Sequence, residues 1–205
     1  MPKKEAPITS LQHFLPPNTF PAVMEYLHLY KVHLTVARER KSILGDYRHR
    51  TQHHTHRISV NGNLNRYAFL ITLLHELAHL LTFEKWSNRV QSHGQEWKQT
   101  FGQLLSQFIQ HKIFPPDIES ALLKSISNPA ASSCADMVLL KTLRRYDEKK
   151  TTATLVEELP LNTLFKTHDG KVFQKGPMAR KRFKCVEVAT GKLYLFSPVY
   201  EVEVV

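Results

Sequence analysis

Leu73-Leu74-His75-Glu76-Leu77-Ala78-His79-Leu80-Leu81 sits at the centre of the run YAFLITLLHELAHLLTF, residues 67–83, in which apolar side chains point in nearly every direction around a helical period. The run predicts a helix buried on all sides. Glu84-Lys85 interrupts it too soon for a membrane span. Residues four apart share one helix face, so His75 and His79 aim their imidazoles at one point. Two neutral imidazoles at that spacing suit Zn²⁺, and a carboxylate beside the first reaches a water on the same ion. Buried among leucines, His75, Glu76 and His79 would be costly unless paired or bound, and a metal satisfies all three. A core helix whose histidines merely bond neighbouring backbone has no need of Glu76.

A catalytic zinc site takes three protein ligands and keeps a position open. His93, in His93-Gly94-Gln95-Glu96-Trp97, is the best third candidate. The intervening residues 80–92 can finish the helix, cross a loop and return. Glu96 is the competing ligand, since it lies in the next helix, where Trp97, Phe101, Leu104, Leu105 and Phe108 recur at helical spacing. Gly94 is read as relieving crowding beside the ligand.

These paired motifs resemble the SprT-like metalloproteases, which include the bacterial SprT proteins and the eukaryotic Spartan proteases. H-E-x-x-H stands here as His75-Glu76-Leu77-Ala78-His79, and H-G-x-x-[F/W] as His93-Gly94-Gln95-Glu96-Trp97. The likeness extends over roughly residues 10–130. It implies one Zn²⁺ per chain held by His75, His79 and His93, with Glu76 as general acid/base, and a zincin-like fold. It also implies proteins on DNA, including DNA–protein crosslinks, as substrates. Many members end in a four-cysteine zinc ribbon. This chain carries only Cys134 and Cys185, so a four-cysteine site is excluded by counting.

Upstream, Asn18 or Thr19 is placed to cap a helix with Pro21 in its first turn and Val23, Met24, Leu27 and Tyr30 on its buried side. Residues 32–40 and 57–60 read as strands, with another after Leu44-Gly45-Asp46-Tyr47. They are expected to form a small antiparallel sheet, a wall for an extended peptide. The first ten residues read as disordered. His49, His53, His54 and His56 crowd between the second and third strands; a second metal site is the sharp reading, a polar solvent-facing hairpin the plainer one.

Downstream, Pro115-Pro116-Asp117 starts a further helix to about Ile126. Asn128-Pro129-Ala130-Ala131-Ser132-Ser133 reads as a linker, and a short basic helix follows from about Ala135 to Tyr146. From Thr151 the hydrophobic period becomes two, with turns at His168-Asp169-Gly170 and Thr190-Gly191. The expected class is therefore α+β. A peptidase domain spans residues 1–130, a linker with the basic helix 131–150, and a small all-β module 151–205. Phe173 and Phe183 among lysines suit either single-stranded bases or the core of that module.

The chain of 205 residues carries a net charge of +10. That surplus favours a polyanion, DNA above all, and Arg48, Arg50, Arg57, Arg180, Lys181, Arg182 and Lys184 are the candidate contacts. Two distant cysteines fit a reducing compartment, and the start lacks an apolar signal core. The expected location is cytoplasmic, nucleoid-associated in a bacterium, with no membrane partner. The function these features indicate is a zinc endopeptidase with a protein or peptide substrate. The alternative is a nucleic-acid-associated binding protein whose metal site is structural or vestigial.

Overall fold

Asn65 starts the central helix by accepting the Ala68 N–H on its side-chain oxygen at 2.9 Å. From there α2 runs Arg66–Trp86, three residues longer at its C-terminal end than the hydrophobic run alone suggests. Phe69, Leu70, Ile71, Leu73, Leu74, Leu77 and Leu80 are all at most 1 % exposed, so the helix is enclosed as its composition requires. Each such side chain contributes about 1.5–3 kcal/mol on leaving water. The computed structural model describes residues 7–40, 43–126, 136–147 and 154–205.

Around α2 pack α1 (Phe20–Leu29), α3 (Gln95–Gln110), α4 (Pro116–Ser125) and α5 (Met137–Arg144). Pro21 opens α1, and Val23, Met24 and Leu27 are buried as expected, while Thr19 bonds back to the Pro16 carbonyl rather than capping. The apolar stripe of α3 buries Trp97, Phe101, Leu104, Leu105 and Phe108. Two expectations are corrected here. A 3₁₀ helix at Ile8–Phe14 buries Leu11, and Leu15 follows it into the core, so the ordered chain begins before residue 10. The basic helix is α5, and it packs on α4 with Leu139 and Leu143 in the same core. Asn65 Nδ2 ties it to α2 by donating to Leu143 O at 2.9 Å and to Asp147 Oδ1 at 2.6 Å. The compact first unit accordingly runs Met1–Asp147. The linker read at residues 128–133 lies outside the described residues.

The small sheet holds β1 (His33–Ala37), β2 (Gly45–Arg48) and β3 (Arg57–Asn61) in the order β1-β3-β2. It is mixed rather than antiparallel. β2 pairs antiparallel with β3, but β1 pairs parallel with it, Leu34 facing Ile58 and Val36 facing Val60. Alternation marks a strand without giving its direction. The segment between β1 and β3 carries β2 back along the far side of β3, which leaves β1 and β3 pointing the same way.

The second unit, Glu148–Val205, is an antiparallel sheet in the order β4-β9-β5-β6-β7-β8. Its strands are β4 (Thr154–Leu155), β5 (Leu164–Lys166), β6 (Val172–Ala179), β7 (Arg182–Glu187), β8 (Leu193–Phe196) and β9 (Glu201–Val204). The β9 strand was not anticipated, and it inserts between β4 and β5. Gly170 and Gly191 adopt φ of 86° and 67° at the two expected turns, a conformation that disfavours side chains. Phe173 is buried with Phe165, Cys185 and Phe196, and partly buried Phe183 packs against them, so both aromatics contribute to the core of the module.

Candidate metal centre and cleft

His75 and His79 project from one face of α2, as the four-residue spacing requires. The chain then leaves the helix through Ser87, whose φ is 54°, and returns as residues 87–94. His93 ends this excursion with φ of 59°, so the left-handed backbone falls on the histidine itself and not on Gly94. The Gly94 N–H closes the turn onto Gln91 O at 3.0 Å, and a Cβ at Gly94 would crowd that carbonyl.

This turn brings the three Nε2 atoms together. His79 lies 3.3 Å from His75 and 3.0 Å from His93, and His93 lies 3.2 Å from His75. Four-coordinate zinc with Zn–N near 2.0–2.1 Å separates its nitrogens by about 3.3 Å, so the triad fits. Burial and mutual repulsion hold His75 at about 3 and His79 at about 4, and burial lowers His93. All three imidazoles are thus neutral near pH 7, the form that ligates. Among the described residues this is the one cluster of potential ligands, and Glu96 is not part of it.

Trp97 organises the triad. Fully buried, its indole lies against His75, His79 and His93 with ring centroids 4.7, 5.3 and 4.6 Å away, and Phe101 stacks behind it at 5.0 Å. Helix α3 therefore positions the three imidazoles through packing as well as holding the residue that follows the turn.

Glu76 is 6 % exposed and lines the same cleft. Burial, with Asp46 nearby, pushes its carboxyl up to about 8, against a smaller lowering effect of Arg40. Strand β2 passes directly over it: a Cβ on Gly45 would overlap Glu76 Oε1 and meet the Thr72 methyl at 2.8 Å. Two residues on, Tyr47 lies parallel to the His79 ring at 6.3 Å; past the strand end, His49 stacks on Phe83 at 4.6 Å. The edge of the sheet thus tracks the zinc-motif helix turn by turn. Arg40 fixes the approach to β2, donating to Asn61 Oδ1 at 2.7 Å and Ser59 Oγ at 2.9 Å. The resulting open cleft of about 570 Å³ is lined by Ile43 to Tyr47, by α2, and by residues 87–93. Thr72 Oγ1, Thr82 Oγ1 and Trp97 Nε1, all on cleft-lining residues, are buried without a hydrogen-bond partner among the described residues.

The four clustered histidines separate. His56 is 3 % exposed and joins Tyr47 to Glu84, His49 stacks at the cleft rim, and His53 and His54 face solvent. The expectation of a uniformly solvent-facing hairpin is thereby corrected, because α2 supplies a carboxylate from outside the segment. The basic candidates are also dispersed. Arg48 pairs with Asp46 at 3.0 Å and Arg50 with Glu84 at 3.2 Å, and Arg57 is half-buried at the start of β3. Arg180, Lys181, Arg182 and Lys184 are exposed on the β6–β7 hairpin of the second unit. Gly45, Tyr47 and Trp97 are the cleft residues whose roles sequence reading missed. Their signal is spatial, apart from the alternation that puts residues 45 and 47 on one side of a strand.

No curated protein and no solved structure matches the chain significantly. Residues 21–117, which contain the triad, Glu76 and β2, match the SprT-like family, whose members are in general metallopeptidases and typically zinc-dependent. Over that segment, just under half of its length, the chain is similar to the SprT-like family.

Proposed function

We propose that the first unit is a zinc-dependent endopeptidase that acts on proteins associated with nucleic acid. The observation that carries this reading is three neutral imidazole nitrogens 3.0–3.3 Å apart, beside a buried carboxylate, in one open cleft. His75, His79 and His93 would hold the ion. When bound, zinc lowers the pKa of a water and polarises the peptide carbonyl. Glu76 takes the proton of the attacking water and passes it to the leaving nitrogen, for which a pKa raised towards neutrality is suited. The outer edge of β2 has no strand partner among the described residues, so a substrate main chain pairs with it and lies across Glu76 and His79. A closed structural zinc site would need a fourth protein ligand and no buried carboxylate, which disfavours the binding-protein alternative.

The net charge of +10 supports a polyanion partner, and DNA as the surface on which substrates are met. No helix is long and apolar enough to cross a membrane among the described residues. The test is twofold. Elemental analysis of untagged protein should give about one zinc per chain, lost in His93→Ala and kept in Glu96→Ala. The zinc-loaded protein should then cleave an unfolded, DNA-bound protein while Glu76→Gln does not. Zinc-loaded protein that cleaves nothing, with or without DNA, would remove the peptidase reading.

A further inference from the structure

Tyr47 occupies the cleft wall beside a metal-ligating histidine, yet its hydroxyl is tied to a buried relay. Tyr47 Oη lies 2.9 Å from His56 Nδ1, and His56 Nε2 lies 3.2 Å from Glu84 Oε1, which Arg50 also reaches at 3.2 Å. The Glu84 carboxylate only accepts, so the proton of neutral His56 resides on Nε2. Nδ1 is then an acceptor, and the Tyr47 hydroxyl donates to it. Residues 45 and 47 face α2 from the strand edge that lines the cleft, and the Tyr47 ring lies 6.3 Å from that of His79, on the wall along which a substrate carbonyl would pass.

We propose that Tyr47 is a catalytic residue whose hydroxyl hydrogen-bonds the oxyanion formed on the scissile carbonyl. The inference rests on the peptidase reading and adds a donor to it. A neutral carbonyl competes poorly with the imidazole nitrogen of His56 for the one phenolic hydrogen. An oxyanion competes well, because a charge-assisted bond is roughly twice as strong as a neutral one. The hydroxyl therefore turns about its Cζ–Oη bond only as negative charge develops, and its proton stays on its own oxygen throughout. Stabilisation confined to the transition state acts on kcat and leaves KM unchanged. His56 and Glu84 are positioning residues that keep the phenol on the wall between turnovers.

The test compares zinc-loaded wild type, Tyr47→Phe and Glu76→Gln on one quenched-fluorescence peptide. Phenylalanine retains the ring beside His79, so zinc per chain should match wild type, while the unpaired Nδ1 of buried His56 should lower the melting temperature by a few degrees without unfolding the protein. Losing one oxyanion donor costs about 100–1000-fold where it acts alone, and sharing the charge with zinc should reduce this to roughly 10–100-fold in kcat, with KM within about twofold. A phosphinic-peptide mimic of the tetrahedral state should bind Tyr47→Phe more weakly by the factor lost in kcat/KM. An unchanged kcat, a change confined to KM, or loss of zinc would each overturn the assignment while leaving the peptidase reading intact. Absence of hydrolysis by zinc-loaded wild type would instead remove that reading, and this inference with it.

Discussion

Glu76→Gln should abolish hydrolysis and at the same time make the metal-free protein more stable. The carboxyl is 6 % exposed and held up at about 8, against an ordinary 4.5. Between those values the folded state binds a proton that the unfolded state has released, so stability falls as pH rises from 4.5 to 8. At pH 7 the accumulated penalty is about 3 kcal/mol, and between pH 6.5 and 8.5 it grows by about 2 kcal/mol. His75 and His79 act in the opposite direction and in a different window. Held at about 3 and 4, they bind fewer protons when folded, so stability falls as pH drops below 6.5. They are neutral in both states only above about pH 7.5, and because both proteins carry them, the difference in slope between wild type and Glu76→Gln belongs to Glu76. Both tryptophans, Trp86 and Trp97, lie in the first unit, so their fluorescence during urea unfolding reports that unit alone. Chelator-treated wild type should lose about 2 kcal/mol relative to Glu76→Gln between pH 6.5 and 8.5. Glu76→Gln should instead gain slightly over the same range, as the unfolded histidines lose their protons, and exceed wild type by about 2–3 kcal/mol at pH 7. Equal slopes in the two proteins would refute the reasoning, because the carboxyl would then be as well solvated folded as unfolded.

Gly45→Ala places a methyl on Glu76 Oε1 and the Thr72 methyl; it should cost about 1–3 kcal/mol in urea unfolding and lower peptide hydrolysis more than tenfold. Asn65→Ala removes the cap of α2 and both bonds to the α5 end, so thermal unfolding should report a loss of about 1–2 kcal/mol. Exchanging Arg180, Lys181, Arg182 and Lys184 for Ala should weaken DNA binding in a titration against salt and flatten its slope by up to about 3.6. An unchanged slope would place the DNA contacts elsewhere.

Sequence alone determined the buried helix and the meeting of His75 and His79 on it, because a four-residue spacing on a 3.6-residue helix already implies a shared face. It also marked α3 by its apolar stripe, and the period-two strands of the second unit. Local periodicity carries such information directly. His93 was legible as a candidate but not as a partner of His75, since nothing in a thirteen-residue gap dictates where a loop returns. The tertiary structure decided that meeting, 3.0–3.3 Å between nitrogens, through a left-handed turn at His93 and the packing of Trp97. It alone decided that β1 and β3 run parallel, that β9 enters the second sheet between β4 and β5, and that Tyr47, His56 and Glu84 form one chain of hydrogen bonds. These are contacts between segments far apart in sequence. They depend on how separately formed elements dock to bury their apolar faces, and no local pattern records that.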